Sequence, residues 1–303
     1  MSERALKQLV GALSIAVAIW AVTSLFSGGA GSIAASGEIT DLFEDLGESS
    51  LDAVRIDGPD GLVELVRVGE DWTVNGYPGD EGSISRLLAV LPRLKVGDLI
   101  ATNPDNHDRM GVSVDSAVAV DFEVDGTSRS ILVGRQGRRF ATSYVRLPDS
   151  DEVYLLEGDL RVQVIRRLDD WRNRTMVAID SASVTRITVE REGDAFTLLR
   201  GDSIWTFEEG GAVRPFAVTA ILAELSSLVA TGFLAEGDSI EALDQGGKTV
   251  AYSSTGDVLA EITIGAGAGD RWARTMTDEY IYRVSSFRAG RIAPTREDAE
   301  PNS

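Results

Sequence analysis

The sequence predicts an α+β fold in which one N-terminal transmembrane helix is followed by two tandem repeats. An apolar pattern recurs 133 residues later in the chain, and each copy combines strand-like alternation with one Leu-rich helix. Each repeat is therefore expected to be an antiparallel β-meander with a Leu-rich helix and further β-hairpins. The matched positions are Val54, Ile56, Val63, Leu65, Arg67, Trp72, Thr73 and Val74, with counterparts Ile187, Val189, Phe196, Leu198, Arg200, Trp205, Thr206 and Phe207.

The chain has 303 residues, which allows two domains that each bury a core. We predict five segments along it. They are a cytoplasmic N-terminus with a transmembrane anchor (1–27), a linker with a short amphipathic helix (28–50), a first repeat with a linking helix (51–178), a second repeat (179–290) and a disordered tail (291–303).

Charge and composition exclude several classes of function. The chain carries 29 basic and 48 acidic residues, a net charge of −19. Such a charge argues against nucleic-acid binding, because phosphates require a basic surface. The absence of cysteine excludes disulfides, thiolate nucleophiles and cysteine metal sites.

The N-terminal segment predicts attachment to a membrane. Leu9 to Phe26 is apolar and uncharged, and as a helix it would span roughly 27 Å. Arg4 and Lys7 precede it, so the positive-inside tendency places the bulk of the chain outside the cytoplasmic membrane. A cleaved signal peptide with small residues at 32–35 is the alternative, and it gives the same extracytoplasmic location. Helical spacing of Ile39, Leu42, Phe43 and Leu46 then predicts a short amphipathic helix that docks on the first repeat.

The first half of each repeat should be a meander followed by a helix. Gly58 to Gly61 marks a turn between two strands in copy one, and a helix with Ile84, Leu87, Leu88, Leu91 and Leu94 on one face follows. Pro92 predicts a kink or an early end to that helix. In copy two, Ile221, Leu222, Leu225 and Leu228 match the leucines, and Pro215 stands at the helix start.

The second half of each repeat should consist of hairpins. Asp125-Gly126 is a strong hairpin signal, and Thr255 to Asp257 takes its place in copy two. A helix from about Gly158 to Asp170 is expected to link the copies.

Several segments together resemble the bacterial domain-of-unknown-function family 4340. They are the strand-turn-Trp opening, the Leu-rich helix, the strand ending in Gly134, Tyr144-Val145-Arg146, Val153-Tyr154-Leu155 and Asp170-Trp171-Arg172-Asn173-Arg174. The resemblance covers about Leu51 to Phe287. It implies an N-terminal membrane helix and gene neighbours that encode ABC transporter components of the gliding-motility type. The resemblance implies no catalytic residues. The stretch Met110-Gly111-Val112 departs from the Tyr-Gly-Leu that the family pattern leads us to expect.

The candidate reactive groups are sparse. His107 is the only histidine, and no nucleophile elbow lies near it, so we expect a solvated turn. Two acidic runs could contribute ligands to calcium but lack the spacing of a calcium loop. They are Asp105, Asn106 and Asp108, and Asp149, Asp151 and Glu152. Gly265 to Gly269 resembles a phosphate-binding loop, but a strand rather than a helix should follow it.

Trp72 and Trp205 occupy the same position in the two copies. They are the predicted ligand or partner contacts, although packing in the core is the competing interpretation. We predict no catalytic, cofactor-binding or metal-binding residues.

These observations predict a non-enzymatic, membrane-anchored extracytoplasmic accessory or interaction subunit of an ABC-type transport or gliding-motility-like complex. The alternative is an extracytoplasmic module that binds glycan or a small ligand through an aromatic groove. A hydrolase that uses His107 is a third and weaker hypothesis.

Overall fold

The computed structural model describes residues 38–43, 46–47, 49–191, 193–234, 243–267 and 269–301. It divides into two compact units, residues 1–173 (unit 1) and 174–303 (unit 2). Within the described ranges, no helix has both the length and the apolar character needed to cross a membrane. The segment predicted to be the anchor, residues 9–26, lies outside these ranges.

Unit 1 is built on one nine-stranded antiparallel sheet with the order β4-β3-β2-β1-β6-β7-β8-β9-β5. The two meanders of the repeat join in this sheet because β1 pairs with both β2 and β6. The strands are β1 (Leu51–Gly58), β2 (Gly61–Val68), β3 (Asp71–Val74), β4 (Tyr77–Pro78), β5 (Lys95–Ala101), β6 (Val118–Val124), β7 (Thr127–Gln136), β8 (Thr142–Arg146) and β9 (Val153–Glu157).

Five short helices accompany this sheet. They are α1 (Glu38–Phe43), α2 (Glu81–Val90), α3 (His107–Met110), α4 (Leu160–Val164) and α5 (Leu168–Trp171). The apolar side of α1 and Leu46 belong to the same buried cluster as Phe122, Leu156 and Trp171. The segment after the linker therefore packs into the core of unit 1, because its apolar residues follow helical spacing.

Unit 2 contains an eight-stranded antiparallel sheet with the order β13-β12-β11-β16-β17-β18-β19-β15, and β10 pairs separately with β14. Its strands are β10 (Thr175–Val177), β11 (Arg186–Arg191), β12 (Asp194–Arg200), β13 (Trp205–Phe207), β14 (Leu228–Val229), β15 (Gly232–Phe233), β16 (Gly247–Tyr252), β17 (Val258–Ile264), β18 (Arg271–Thr275) and β19 (Tyr282–Val284). Its helices are α6 (Pro215–Ser226), α7 (Ser286–Ile292) and α8 (Arg296–Ala299).

The two sheet orders match element by element, except that β4 has no counterpart strand in unit 2. The register matches as well. Arg67 lies opposite Trp72 in unit 1, and Arg200 lies opposite Trp205 in unit 2. The recurring sequence pattern thus corresponds to a recurring topology.

The predicted fold class, α+β, is wrong. The chain is mainly antiparallel β, with few and short helices. The hairpins predicted as separate parts of each repeat join into one large sheet. The Leu-rich helix of unit 1 ends at Val90, because Pro92 forces a tight turn over Leu91–Arg93.

Two segments differ locally from their predictions. The expected linking helix from about Gly158 to Asp170 is two helices, α4 and α5. The second helix, α5, packs beside the start of α2. The main-chain amide of Asp80, the residue before α2, donates to the carbonyl of Trp171 at 2.7 Å. The tail expected to be disordered contains α8, which starts with a capping box between Thr295 and Asp298.

Candidate functional site

The two tryptophans predicted as contacts lie in separate units, each half-buried on the third strand of its meander. Trp72 packs against the core cluster of unit 1. The guanidinium carbon of Arg67 lies 5.8 Å from its ring centroid, within reach of a cation–π interaction. Trp205 lies opposite Arg200 at the equivalent position.

His107 is buried rather than solvated. Its Nε2 lies 3.1 Å from the main-chain carbonyl oxygen of Asp151, so the bond requires a proton on Nε2. This contact brings the two acidic runs of the sequence to neighbouring positions in unit 1. Side chains of both runs make local hydrogen bonds: Asp105 accepts from the Asn103 side chain at 3.3 Å, Asn106 accepts from Arg109 at 2.8 Å, and Glu152 accepts from Tyr154 at 2.6 Å. Among the described residues, no three acidic, histidine or cysteine side chains are placed to hold a metal ion.

Arg146 is the centre of the same region, and its role was missed from the sequence. It is only 6% exposed, at the end of β8. Its guanidinium donates to the carbonyl oxygen of Val112 at 2.7 Å and to those of Leu147, Pro148 and Ser150 at 2.8–3.1 Å. Burial lowers the pKa of Arg146, while Asp151 and Asp149 oppose that shift. The signal in the sequence was weak, because β8 also contains Thr142 and Ser143 and Arg146 is not its only polar residue.

Gly134, a residue of the family pattern, lies where the chain crosses the sheet. A Cβ at this position would stand 2.5 Å from the carbonyl oxygen of Met110 and from Cγ1 of Val112. Only glycine allows so close an approach of two backbones. The role of the Met110-Gly111-Val112 loop is therefore to cover β7 and to supply a carbonyl to Arg146.

A tyrosine and a carboxylate pair in the same way in both units. Tyr154 donates to Glu152 at 2.6 Å, and Tyr282 donates to Asp278 at 2.9 Å. Burial and the hydrogen-bonded carboxylate Glu152 raise the pKa of Tyr154 to about 12. Burial and the hydrogen bond to Asp278 likewise raise the pKa of Tyr282. Both phenols are therefore neutral donors at physiological pH, which suits a structural role.

Unit 2 carries a polar groove of about 510 Å³. It is lined by Glu190, Arg191, Gly193, Asp194, Ala195, Asp244, Gln245, Gly247, Lys248, Glu261, Thr263 and Arg274. Two ion pairs lie in it, Lys248 to Glu261 at 2.9 Å and Arg274 to Asp244 at 2.7 Å. The hydrogen bond to Glu261 raises the pKa of Lys248.

The glycine-rich run that starts at Gly265 connects β17 to the strand β18, so it does not open a helix. The Gly265 amide donates to the carbonyl of Trp272 at 2.7 Å, which closes a hairpin. A Cβ at Gly246 would overlap the Gly265 carbonyl oxygen, because the backbones at the paired ends of β16 and β17 approach closely here.

One edge of the unit 1 sheet, the seven-residue strand β5, carries exposed apolar side chains. β5 pairs with β9 only, within the described residues, and it is longer than β4, β13 and β15, which end the sheets elsewhere. Leu99 and Ile100 on β5 are 48% and 40% exposed, and Phe140 on the β7–β8 turn is 90% exposed. Arg139 donates to Asp98 at 3.2 Å, which holds that turn beside β5. We call Leu99, Ile100 and Phe140 the edge patch.

Comparison with known proteins gives one result. The profile of the family described as "Domain of unknown function (DUF4340)" matches residues 72–246, more than half of the chain. The chain belongs to this family. No curated protein and no solved structure matches the chain. The match begins at Trp72 and includes Arg146 and the segment from Asp170 to Arg174. It therefore contains the Met110-Gly111-Val112 loop of unit 1 and most of the repeat pattern.

A further buried charge was also missed from the sequence. Glu224 is 5% exposed on α6 and pairs with Arg288 at 3.1 Å and with Arg291 at 3.3 Å, both from α7. The signal was its position on the apolar side of the predicted helix, one residue before Leu225. It joins two helices and does not face the groove lining.

Proposed function

We propose that this member of the family is a non-enzymatic accessory subunit that binds a protein partner through the edge patch. An edge strand carries main-chain N–H and C=O groups that another chain can pair with, and natural proteins usually protect such edges with short strands. β5 has seven residues, four of which in succession are exposed, Gly97 to Ile100. This exposed apolar edge is the observation that carries the proposal.

The composition of the patch suits a protein partner. Interfaces combine an apolar centre with a polar rim. Phe140, Leu99 and Ile100 form the apolar part, and Arg139 with its partners Asp98 and Glu157 forms the rim. A strand of the partner that pairs with β5 could place its side chains on the patch.

The partner that we propose is a component of an ABC-type transport or gliding-motility-like complex, at the outer side of the cytoplasmic membrane. The membrane location rests on the apolar segment 9–26 and on the positive charges before it. The transporter link rests on the family resemblance.

The test is affinity purification of the tagged full chain from membranes of cells that express it natively. A Leu99→Lys, Phe140→Asp double variant should reduce the recovered transporter component about tenfold, because two exposed apolar contacts are lost. Val114→Lys is the matched control, since Val114 is 74% exposed on a different loop of unit 1, and it should leave recovery unchanged. The proposal fails if no transporter component is recovered, or if both variants recover it equally.

A further inference from the structure

Four strands of unit 2 bring a row of polar side chains onto one face of the sheet. Glu190 on β11 lies opposite Lys248 on β16, Lys248 lies opposite Thr263 on β17, and Thr263 lies opposite Arg274 on β18. Directly opposite residues of antiparallel strands share a face. The row therefore forms the floor of the polar groove.

The equivalent row exists in unit 1, and there its members on β7 and β8 are covered. Its members are Asp57, Ala119, Leu132 and Arg146, joined by the same register. Leu132 is 5% exposed and Arg146 is 6% exposed. The side chain of Arg274, by contrast, is 51% exposed.

The two arginines also differ in their hydrogen-bond partners. In unit 1 the segment after α3 brings the carbonyl of Val112 onto Arg146. In unit 2 the side chain of Asp244 contacts Arg274 through one terminal nitrogen. A guanidinium has five N–H donors, so Arg274 retains capacity for further acceptors.

We propose that the groove of unit 2 binds a short extended peptide. The C-terminal carboxylate of the peptide contacts Arg274, as main-chain carbonyls contact Arg146 in unit 1, and its ammonium group faces Glu190. Lys248 does not compete for the carboxylate because Glu261 neutralises it. Three strand spacings separate Glu190 from Arg274, about 14 Å, and four extended residues span a similar length.

The probe is tetra-alanine with free termini, titrated calorimetrically into the full chain. Binding should weaken at least about tenfold when the peptide is amidated at its C-terminus, and equally when Arg274 is replaced by Gln. The two changes together should cost no more than either alone, because they remove the same contact. N-acetylation of the peptide and Glu190→Gln should likewise each weaken binding, and the two together should cost no more than either alone.

Arg167→Gln is the matched control, since Arg167 is also exposed and paired with a carboxylate, that of Asp170, but lies in unit 1. Arg274→Lys retains the charge and should bind with intermediate affinity; thermal unfolding checks that each variant is folded. The proposal is overturned if the wild-type chain gives no binding at about 10 mM peptide, or if Arg274→Gln weakens free and amidated peptide equally. The edge patch lies in unit 1, so either proposal can fail without the other.

Discussion

Arg146 donates from Nε to the carbonyl oxygen of Val112 across 2.7 Å and so fastens the loop after α3 to the end of β8. Three more carbonyls, from the turn that follows β8, share the same guanidinium. A residue of the family pattern without reactive chemistry thus holds the segment that follows α3, the helix that contains His107.

Replacing Arg146 with Met should destabilise unit 1 by about 2–4 kcal/mol, because buried carbonyl oxygens lose their donor. Urea denaturation measures the change, with hydrogen exchange at residues 107–112 to localise it. Arg274→Met is the matched control in unit 2. Since the side chain of Arg274 is half-exposed, its cost should stay within about 0.5 kcal/mol. Equal costs for the two variants would contradict the assigned role.

Gly134→Ala should also destabilise unit 1, by about 1–3 kcal/mol, because the added Cβ would overlap the Met110 carbonyl and the Val112 side chain. Gly290→Ala serves as the comparison. Gly290 lies within α7 and a Cβ there meets nothing within 4 Å, so the substitution should stabilise by about 0.5–1 kcal/mol. Thermal unfolding measures whether each substitution lowers or raises the unfolding temperature. An unchanged temperature for Gly134→Ala would show that the Met110–Val112 segment moves to accommodate the added Cβ.

Glu123 should make stability depend on pH. It is 2% exposed, and its Oε2 has no hydrogen-bond partner among the described residues. Burial, and then the nearby Asp52, raise the pKa of Glu123 above 4.5. A carboxyl whose pKa is raised by folding stabilises the protein while it is protonated, and that contribution is lost as pH rises through the raised pKa.

Glu123→Gln should therefore be more stable than wild type at pH 7, and the difference should shrink as pH falls toward 4. Urea denaturation across this range, run on both proteins in the same buffers, gives the difference directly. A variant that is less stable than wild type at pH 7 would mean that the ionised carboxylate is favourably held.

Removing residues 296–303 should destabilise unit 2 by about 1–3 kcal/mol. The Arg214 amide loses the carbonyl of Ala299, at 2.8 Å, and Phe207 loses the guanidinium of Arg296, 4.9 Å from its ring centroid. Thr295→Ala, which breaks only the capping box, should cost about 1 kcal/mol. If the C-terminal segment contributes nothing, both variants will unfold at the wild-type temperature.

Much of the local structure could be predicted from the sequence. Asp125-Gly126 forms the expected tight turn, with φ values of 49° and 74°, and Pro215 starts α6. Such features depend on backbone preferences of neighbouring residues and are visible in any short window. The candidate site was less accessible. The groove and the Arg146 cluster join residues from distant strands, and no local pattern marks them.

The sequence by itself determined that the chain contains one pattern twice, where its main turns fall and that the Leu-rich helix of the second copy begins at Pro215. Only the tertiary structure decided that the hairpins share one sheet, that His107 is buried against Asp151, and that Arg146 is covered while Arg274 is exposed. The physical reason is that sheet pairing and loop packing bring together residues that are distant in the sequence, and no local pattern records those contacts.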